Sequence, residues 1–351
     1  MVTIDELFDL AIAKGASDLH LVAGQPPILR INGALTTQAD LPVLSGEDTA
    51  TICASILSAD QQRLYIEKRD LDISYSTHNA TLARARVNLH WERDNAGMVA
   101  RIIPAEIPKL ADLRSPGIIQ DLLRLRRGLI LVTGPTGCGK STSLAAMVDF
   151  INEDRSENII TLEDPIEFLH TSKKSIIRQR QLGTDVLSFA EGLKHVVRED
   201  PNVVMVGEMR DLETIGAAIT LAETGHLVLA TLHTSDAIQT INRIIDVFPP
   251  YQQNQIRLQL SFFLKAVVSK RLLPGVSGTR VPVYEVLLNN PAVSTVIREN
   301  RIGQIMTIMQ TSARAGMITM EKEMEKVLQE GLISRETLEA FGTSFDGPTH
   351  E

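Results

Sequence analysis

The octet GPTGCGKS, Gly134 to Ser141, lies between an apolar strand-like run (Leu129 to Val132) and a helix-like stretch (Ser143 to Ile151). The pattern G-x-x-x-x-G-K-[S/T] between a strand and a helix is that of a phosphate-binding loop. It constrains the fold because the backbone must wrap closely around an anion and then enter a helix whose N-terminal N–H groups face the phosphates. Gly134, Gly137 and Gly139 permit the wrap, with Pro135, Thr136 and Cys138 completing the loop and Thr142 following in the first helical turn. Lys140 is expected to reach the β- and γ-phosphates and Ser141 to ligate Mg²⁺. A Gly-rich turn that merely carried a lysine would not need both flanking elements. The expected ligand is ATP or GTP.

Around the loop, apolar runs alternate with helical patterns. Strands are predicted at Leu129–Thr133, Ile159–Leu162, Val203–Val206 and Leu227–Thr231, and helices at Ser143–Ile151, Ser188–Val197 and Leu212–Ala222. Nearly continuous apolar strands are the mark of a parallel sheet covered on both faces, an α/β fold. Ser188 with Glu191 reads as a capping box. The last hundred residues read as mostly helical, with one strand at Pro282–Leu288 and a frayed tail from Phe345 to Glu351.

The first hundred residues read differently, as a small α+β domain. Thr3 and Glu6 form a capping-box pattern ahead of Ile4, Leu7, Phe8, Ala11 and Ile12, with Gly15 as the stop. Extended segments follow at Asp18–Val22 and Pro27–Ile31, the latter ending in the hairpin signal Asn32-Gly33. Helices are predicted over Ser45–Lys68. From Ala83 to Trp91 the alternation is strict, with Ala83, Ala85, Val87, Leu89 and Trp91 on one face and Arg84, Arg86, Asn88 and His90 on the other. A turn at Asp94–Gly97 leads to a partner strand, Met98–Ile103. Pro104, Pro108 and Pro116 punctuate a linker, so the expected division is residues 1–103, linker 104–116 and residues 117–351.

Nucleotide hydrolysis needs more than a phosphate cradle: an acid to orient the metal, a group to position water, and cations for the developing charge. The predicted second strand ends in TLEDPIEF and delivers Glu163 and Asp164 to a strand C-terminus, the edge where open α/β sheets bind ligands. Glu163 is the candidate general base. The third strand, NVVMVGE, ends at Gly207, which permits close backbone approach, and Glu208, a carboxylate able to reach Mg²⁺ directly or through water. His226 and His233 bracket the fourth strand and are candidates for sensing the γ-phosphate.

Composition narrows the alternatives. The net charge of −8 argues against broad electrostatic binding to nucleic acid or anionic lipid. The longest apolar candidate, Leu258–Val268, is interrupted by Gln259 and Lys265, so no membrane span is expected. Cys53 and Cys138 have no metal-ligand or disulfide spacing, and a reducing cytoplasm is the simplest compartment. The N-terminus does not read as a secretory signal.

The set ASDLHL (Ala16 to Leu21), GPTGCGKST, TLEDPIEF, REDPNVVMVGEMRD (Arg198 to Asp211) and AETGHLVLATLHT (Ala222 to Thr234) resembles the secretion ATPase superfamily of type II secretion and type IV pili. The length and short N-terminal domain are similar to those of the type IV pilus retraction ATPases. The resemblance runs from about Ile4 to Ser334. It implies a RecA-like P-loop NTPase domain preceded by a PAS-like domain, assembled as a homohexamer, with ATP between the domains. It implies that Glu163 activates water, that Glu208 serves as an atypical Walker B acid with Mg²⁺, and that His226 and His233 form a His box. Arg84 and Arg86 fall on the arginines that complete the family's site, and a hinge near Pro104–Pro116 would turn site closure into domain rotation. It also implies cytoplasmic residence at the pilus base and an inner-membrane platform protein as partner. One departure stands out: the family's AIRNLIRE motif is AVSTVIRE here, Ala292 to Glu299, with Ser294 and Thr295 in place of arginine and asparagine. An accessory retraction paralogue is therefore the alternative to a primary motor. An assembly ATPase would carry a longer N-terminal region and a four-cysteine zinc site. A nucleotide-regulated interaction module that hardly hydrolyses would have little use for Glu163, Glu208 and the histidines.

Overall fold

The capping box at the start of the chain forms as its sequence predicts. Thr3 Oγ1 accepts from the Glu6 N–H at 3.3 Å and Glu6 Oε2 accepts from the Thr3 N–H at 2.8 Å. Helix α1 (Ile4–Ala13) thus starts with two otherwise unpaired donors satisfied. The computed structural model describes residues 2–31, 33–77, 84–103 and 106–342. Asn32 of the hairpin signal, Ala83, Pro104 and the tail Phe345–Glu351 lie outside the described residues.

The chain forms two compact units. The first comprises the residues up to Ile107 together with Pro165–Leu169. After α1 it contains β1 (Ala16–Leu21), β2 (Ile28–Ile31), β3 (Ala34–Thr37), α2 (Gly46–Ser55), α3 (Ala59–Lys68), β4 (Asp70–Ser76), β5 (Arg84–Glu92) and β6 (Asn95–Ile103). The strands form an antiparallel sheet in the order β3-β2-β1-β6-β5-β4. Its apolar face and the helices enclose a core containing Leu7, Phe8, Leu19, Ile52, Val87 and Met98. In β5, Ala85, Val87 and Leu89 are buried and Arg86 is exposed, as period two requires. Trp91 departs from the pattern: it is exposed at the strand end, with the Arg69 guanidinium 4.0 Å from its ring centre. The β5–β6 turn is also tighter than predicted. Glu92 pairs with Asn95, and the two residues between them, Arg93 and Asp94, have φ of 47° and 60°. Two left-handed residues make the short turn whose twist matches a hairpin, so β6 starts three residues earlier than Met98.

The second unit comprises Pro108–Asp164 and the chain from His170. Its first elements are α4 (Ile118–Leu123), β7 (Gly128–Thr133), α5 (Lys140–Asp154), β8 (Asn158–Glu163) and β9 (Ile176–Gln181). Next come α6 (Phe189–Val196), β10 (Val203–Val206), α7 (Leu212–Glu223), β11 (Leu227–Leu232), α8 (Ala237–Asp246) and α9 (Pro250–Phe263). The unit ends with β12 (Leu264–Pro274), β13 (Arg280–Leu288), α10 (Pro291–Arg298), α11 (Ile305–Thr311), α12 (Met320–Gln329) and α13 (Arg335–Gly342). The sheet order is β13-β12-β7-β11-β10-β8-β9, parallel throughout except for β13. Every residue of β7, β10 and β11 is buried, because helices cover both faces of the sheet.

In this unit two strands were not expected from periodicity, as β4 was not in the first. β9 is the edge strand IIRQRQ, none of whose residues is fully buried. β12 continues directly from α9 without a glycine or proline to separate them, and a short apolar run has the same pattern in a buried strand as in a buried helix. The C-terminal part therefore contains a β12–β13 hairpin rather than one strand. At α6 only half of the capping box forms: Ser188 Oγ accepts from the Glu191 N–H, while the Glu191 carboxylate pairs with Lys194 at 2.6 Å. Among the described residues, no helix is long and apolar enough to cross a membrane.

Candidate nucleotide site

The phosphate loop leaves the C-terminal end of β7 and its last glycine, Gly139, is the N-cap of α5. Gly134, Gly137 and Gly139 have φ of 144°, 79° and 83°, conformations that side chains resist. Gly134 faces a second constraint. A Cβ there would sit 2.3 Å from the backbone carbonyl oxygen of Lys270 on β12 and 2.7 Å from Cys138 Sγ. The loop is thus pressed against the neighbouring strand, and burial raises the pKa of the Cys138 thiol, so this cysteine is a packing residue.

Lys140 is buried, and its Nζ donates to the carbonyls of Gly134 at 2.7 Å and Pro135 at 3.1 Å. It also lies 3.4 Å from His233 Nδ1, while Thr136 Oγ1 is 3.5 Å from the same nitrogen. His233 follows β11, and its other ring nitrogen is 3.4 Å from Glu208 Oε2. Glu208, just beyond β10, also accepts from Arg210 Nε at 2.8 Å. One imidazole therefore joins the loop lysine to the candidate metal acid.

Glu163 ends β8 with its side chain buried, its Oε1 accepting from Thr161 Oγ1 at 2.6 Å and from Gln179 Nε2 at 2.9 Å. Gly207 allows this strand end to come close: a Cβ there would be 3.2 Å from the Leu162 carbonyl oxygen and 3.4 Å from Glu163 Cα. The Gly207 N–H donates to Leu162 O at 2.8 Å, and the Thr231 hydroxyl donates to Gly207 O. Four parallel strands thus bring Lys140, Glu163, Glu208 and His233 to one sheet edge.

His226 does not share that edge. It precedes β11, and its carbonyl accepts from the N–H of Gly128, the first residue of β7, at 2.9 Å. Its Nδ1 lies 3.0 Å from the Leu221 carbonyl oxygen and 3.2 Å from Thr224 Oγ1. At ~3.3 Å per residue, seven residues of extended chain put it roughly 23 Å from His233. Two residues that bracket a strand mark opposite edges of the sheet, so only His233 faces the phosphate loop. Arg84 and Arg86 belong to the first unit, on the polar face of β5. Arg84 Nε donates to the Ile166 carbonyl at 2.6 Å, and Arg86 is exposed.

The donor set suits Mg²⁺. Among the described residues there is no cluster of three or more His, Cys, Asp or Glu side chains able to hold a metal. Mg²⁺ does not require one, because it is commonly held by one or two protein oxygens plus waters and substrate phosphates. Ser141, exposed on the first turn of α5, and Glu208 are oxygen donors of that kind.

Reading the sequence alone missed Lys270. It lies on β12, only 3% exposed, with its Nζ 2.8 Å from Ser143 Oγ and 3.4 Å from the Gly139 carbonyl oxygen. The signal available was a lysine in the apolar run AVVSKRLL, which passes for an ordinary interruption when the strand itself goes unrecognised.

Comparison with known proteins gives the family of the chain. Residues 110–278 match the family model described as type II/IV secretion system protein. The chain is 41% identical over 333 residues to the type IV pilus retraction ATPase PilT of Pseudomonas aeruginosa, covering 95% of this chain and 96% of that one. It is 45% identical over 311 residues to a twitching motility protein of Neisseria gonorrhoeae, covering 88% and 82% respectively. The crystal structure of the pilus retraction motor PilT with bound ADP superposes with a TM-score of 0.92 at 44% identity, covering 99% of this chain and 98% of that one. The chain therefore belongs to the type II/IV secretion ATPase family, among its pilus retraction ATPases, with a small α+β domain followed in sequence by a RecA-like nucleotide-binding domain.

Proposed function

We propose that this ATPase is a hexameric motor whose turnover drives retraction of a type IV pilus. The observation that carries the reading is the near full-length identity to a retraction ATPase, combined with Lys140, Glu163, Glu208 and His233 at one sheet edge. Lys140 binds the β- and γ-phosphates once released from the Gly134 and Pro135 carbonyls, which compete for the same donor. The other loop residues, Gly134 to Gly139 with Ser141 and Thr142, supply the backbone cradle. Glu163 orients and deprotonates the attacking water, its aim fixed by Thr161 and Gln179. His233 is placed to report phosphate occupancy to Glu208. Ser141 and Glu208 would hold Mg²⁺ from the protein side, and the ion would supply neutralisation of phosphate charge. Arg84 and Arg86 are the candidate cations for charge developing on the transferred group. The protein would act in the cytoplasm at the pilus base, against an inner-membrane platform protein.

An accessory retraction role is favoured by one feature of α10. Ser294, at the first arginine of the family's AIRNLIRE pattern, donates its hydroxyl to the Ser261 carbonyl at 2.7 Å and so anchors α10 to α9. A charged side chain is replaced by an internal tether. Imaging of labelled pili in a strain lacking this protein separates the two. Pili that extend but never retract establish the primary motor, slowed or weakened retraction indicates the accessory role, and normal retraction overturns both.

A further inference from the structure

Lys270 touches the phosphate loop at both ends. Its backbone carbonyl oxygen lies where a side chain on Gly134 would clash, and its ammonium lies beneath Gly139, 3.3 Å from the position a Cβ there would take. The ammonium donates to Ser143 Oγ on α5 and to the Gly139 carbonyl, and stands 5.5 Å from the ring centre of Tyr284 on β13. Among the described residues, no carboxylate pairs with it. A buried cation without a counter-charge is costly, and buried charges are ordinarily paired. The loop that Lys270 backs is the candidate phosphate cradle.

We propose that Lys270 is a positioning residue for the nucleotide: a buried ammonium behind the phosphate loop whose counter-charge is the bound phosphate, and which holds Gly139 and Ser143 in the phosphate-binding conformation. The proposal rests on the loop being the nucleotide site and adds to it a second cation that no loop pattern contains. Before the anion arrives, burial pushes the pKa of Lys270 down from 10.5 to about 8. The other titratable groups facing it are Cys138 from the loop and Tyr284 from β13. Burial raises both the Cys138 thiol and the Tyr284 phenol, so neither supplies a ready negative charge near neutral pH. A bound phosphate favours the charged lysine, so nucleotide binding above pH 8 must draw a proton onto Lys270.

The test is calorimetric titration of ADP into the full chain, wild type beside Lys270→Met and Lys270→Gln, at pH 8.5 in two buffers of different ionisation enthalpy. Steady-state ATP turnover and nucleotide-free melting are measured on the same samples. Wild type is expected to take up a fraction of a proton on binding. Both variants lose that uptake, bind ADP about tenfold more weakly for each pKa unit the phosphate restores, raise KM for ATP more than they lower kcat, and melt no lower than wild type. Variants that bind ADP with wild-type affinity and unchanged proton uptake overturn the proposal. So do variants that lose affinity only because they melt lower without nucleotide, since that would be a structural role alone. Failure of wild type itself to bind ADP would overturn the nucleotide site first, before any variant is compared.

Discussion

Gln179 Nε2 donates to Glu163 Oε1 at 2.9 Å, while the Gln179 side-chain oxygen accepts from the His170 N–H at 2.8 Å. The amide on edge strand β9 thus connects a backbone donor to the candidate base on β8 and fixes which way its carboxylate points. Gln179→Ala removes that hold without touching the phosphate loop. Its expected effect is a fall in kcat of about tenfold or more, because small misplacements of a catalytic group are expensive, with KM for ATP nearly unchanged. Steady-state kinetics of the two proteins check the split.

The loop glycines are not equivalent. Gly134→Ala would force a Cβ against the Lys270 backbone, which cannot rotate away, and is expected to lower stability by ~2 kcal/mol or more. Gly137→Ala meets nothing within 4 Å and carries only the left-handed backbone cost of about 1 kcal/mol. Nucleotide-free denaturant unfolding of both variants ranks them.

Lys270 also sets a pH dependence of the nucleotide-free protein. Its folded pKa, about 8, lies below the ordinary 10.5, so the unfolded chain binds more protons between those values. The sign follows directly: the group opposes folding below pH 8, and stability rises as pH increases from 8 toward 10.5. The full shift corresponds to on the order of 3 kcal/mol, part of it offset in Lys270→Met by the lost bonds to Ser143 and Gly139. Lys270→Met is therefore expected to melt a degree or so above wild type at pH 7.5, with the gap closing by pH 10. Scanning calorimetry across that range measures it.

Trp91 is the chain's one tryptophan and stacks under Arg69 in the first unit. Its fluorescence therefore reports unfolding of that unit rather than of the nucleotide-binding one. Arg69→Ala is expected to shift the emission and cost about 0.5–1 kcal/mol in the fluorescence-detected transition, while leaving ADP affinity unchanged.

The candidate phosphate-facing edge was legible in the sequence because each part has a local signature. The loop has fixed glycines and a lysine, and Glu163 and Glu208 each end an apolar run, so the parallel arrangement puts them at one edge. What stayed hidden depended on neighbours distant in sequence. Lys270 and Gln179 lie on β12 and β9, the two strands whose periodicity is ambiguous, and their roles come from contacts 131 and 16 residues away. His226 lies at the other sheet edge for a topological reason: it is close to His233 in sequence, but the length of β11 separates them. Trp91 followed the alternation into a position where the strand end has no core left to cover it.

The most direct measurement is phosphate release from ATP by the full chain beside Lys140→Ala and Glu163→Gln, with ADP affinity measured in parallel. Wild type should turn over, Lys140→Ala should lose both turnover and binding, and Glu163→Gln should lose turnover by about 10²-fold or more while still binding. Wild-type turnover in Glu163→Gln would contradict its role as the base, and wild-type turnover in Lys140→Ala would contradict the site.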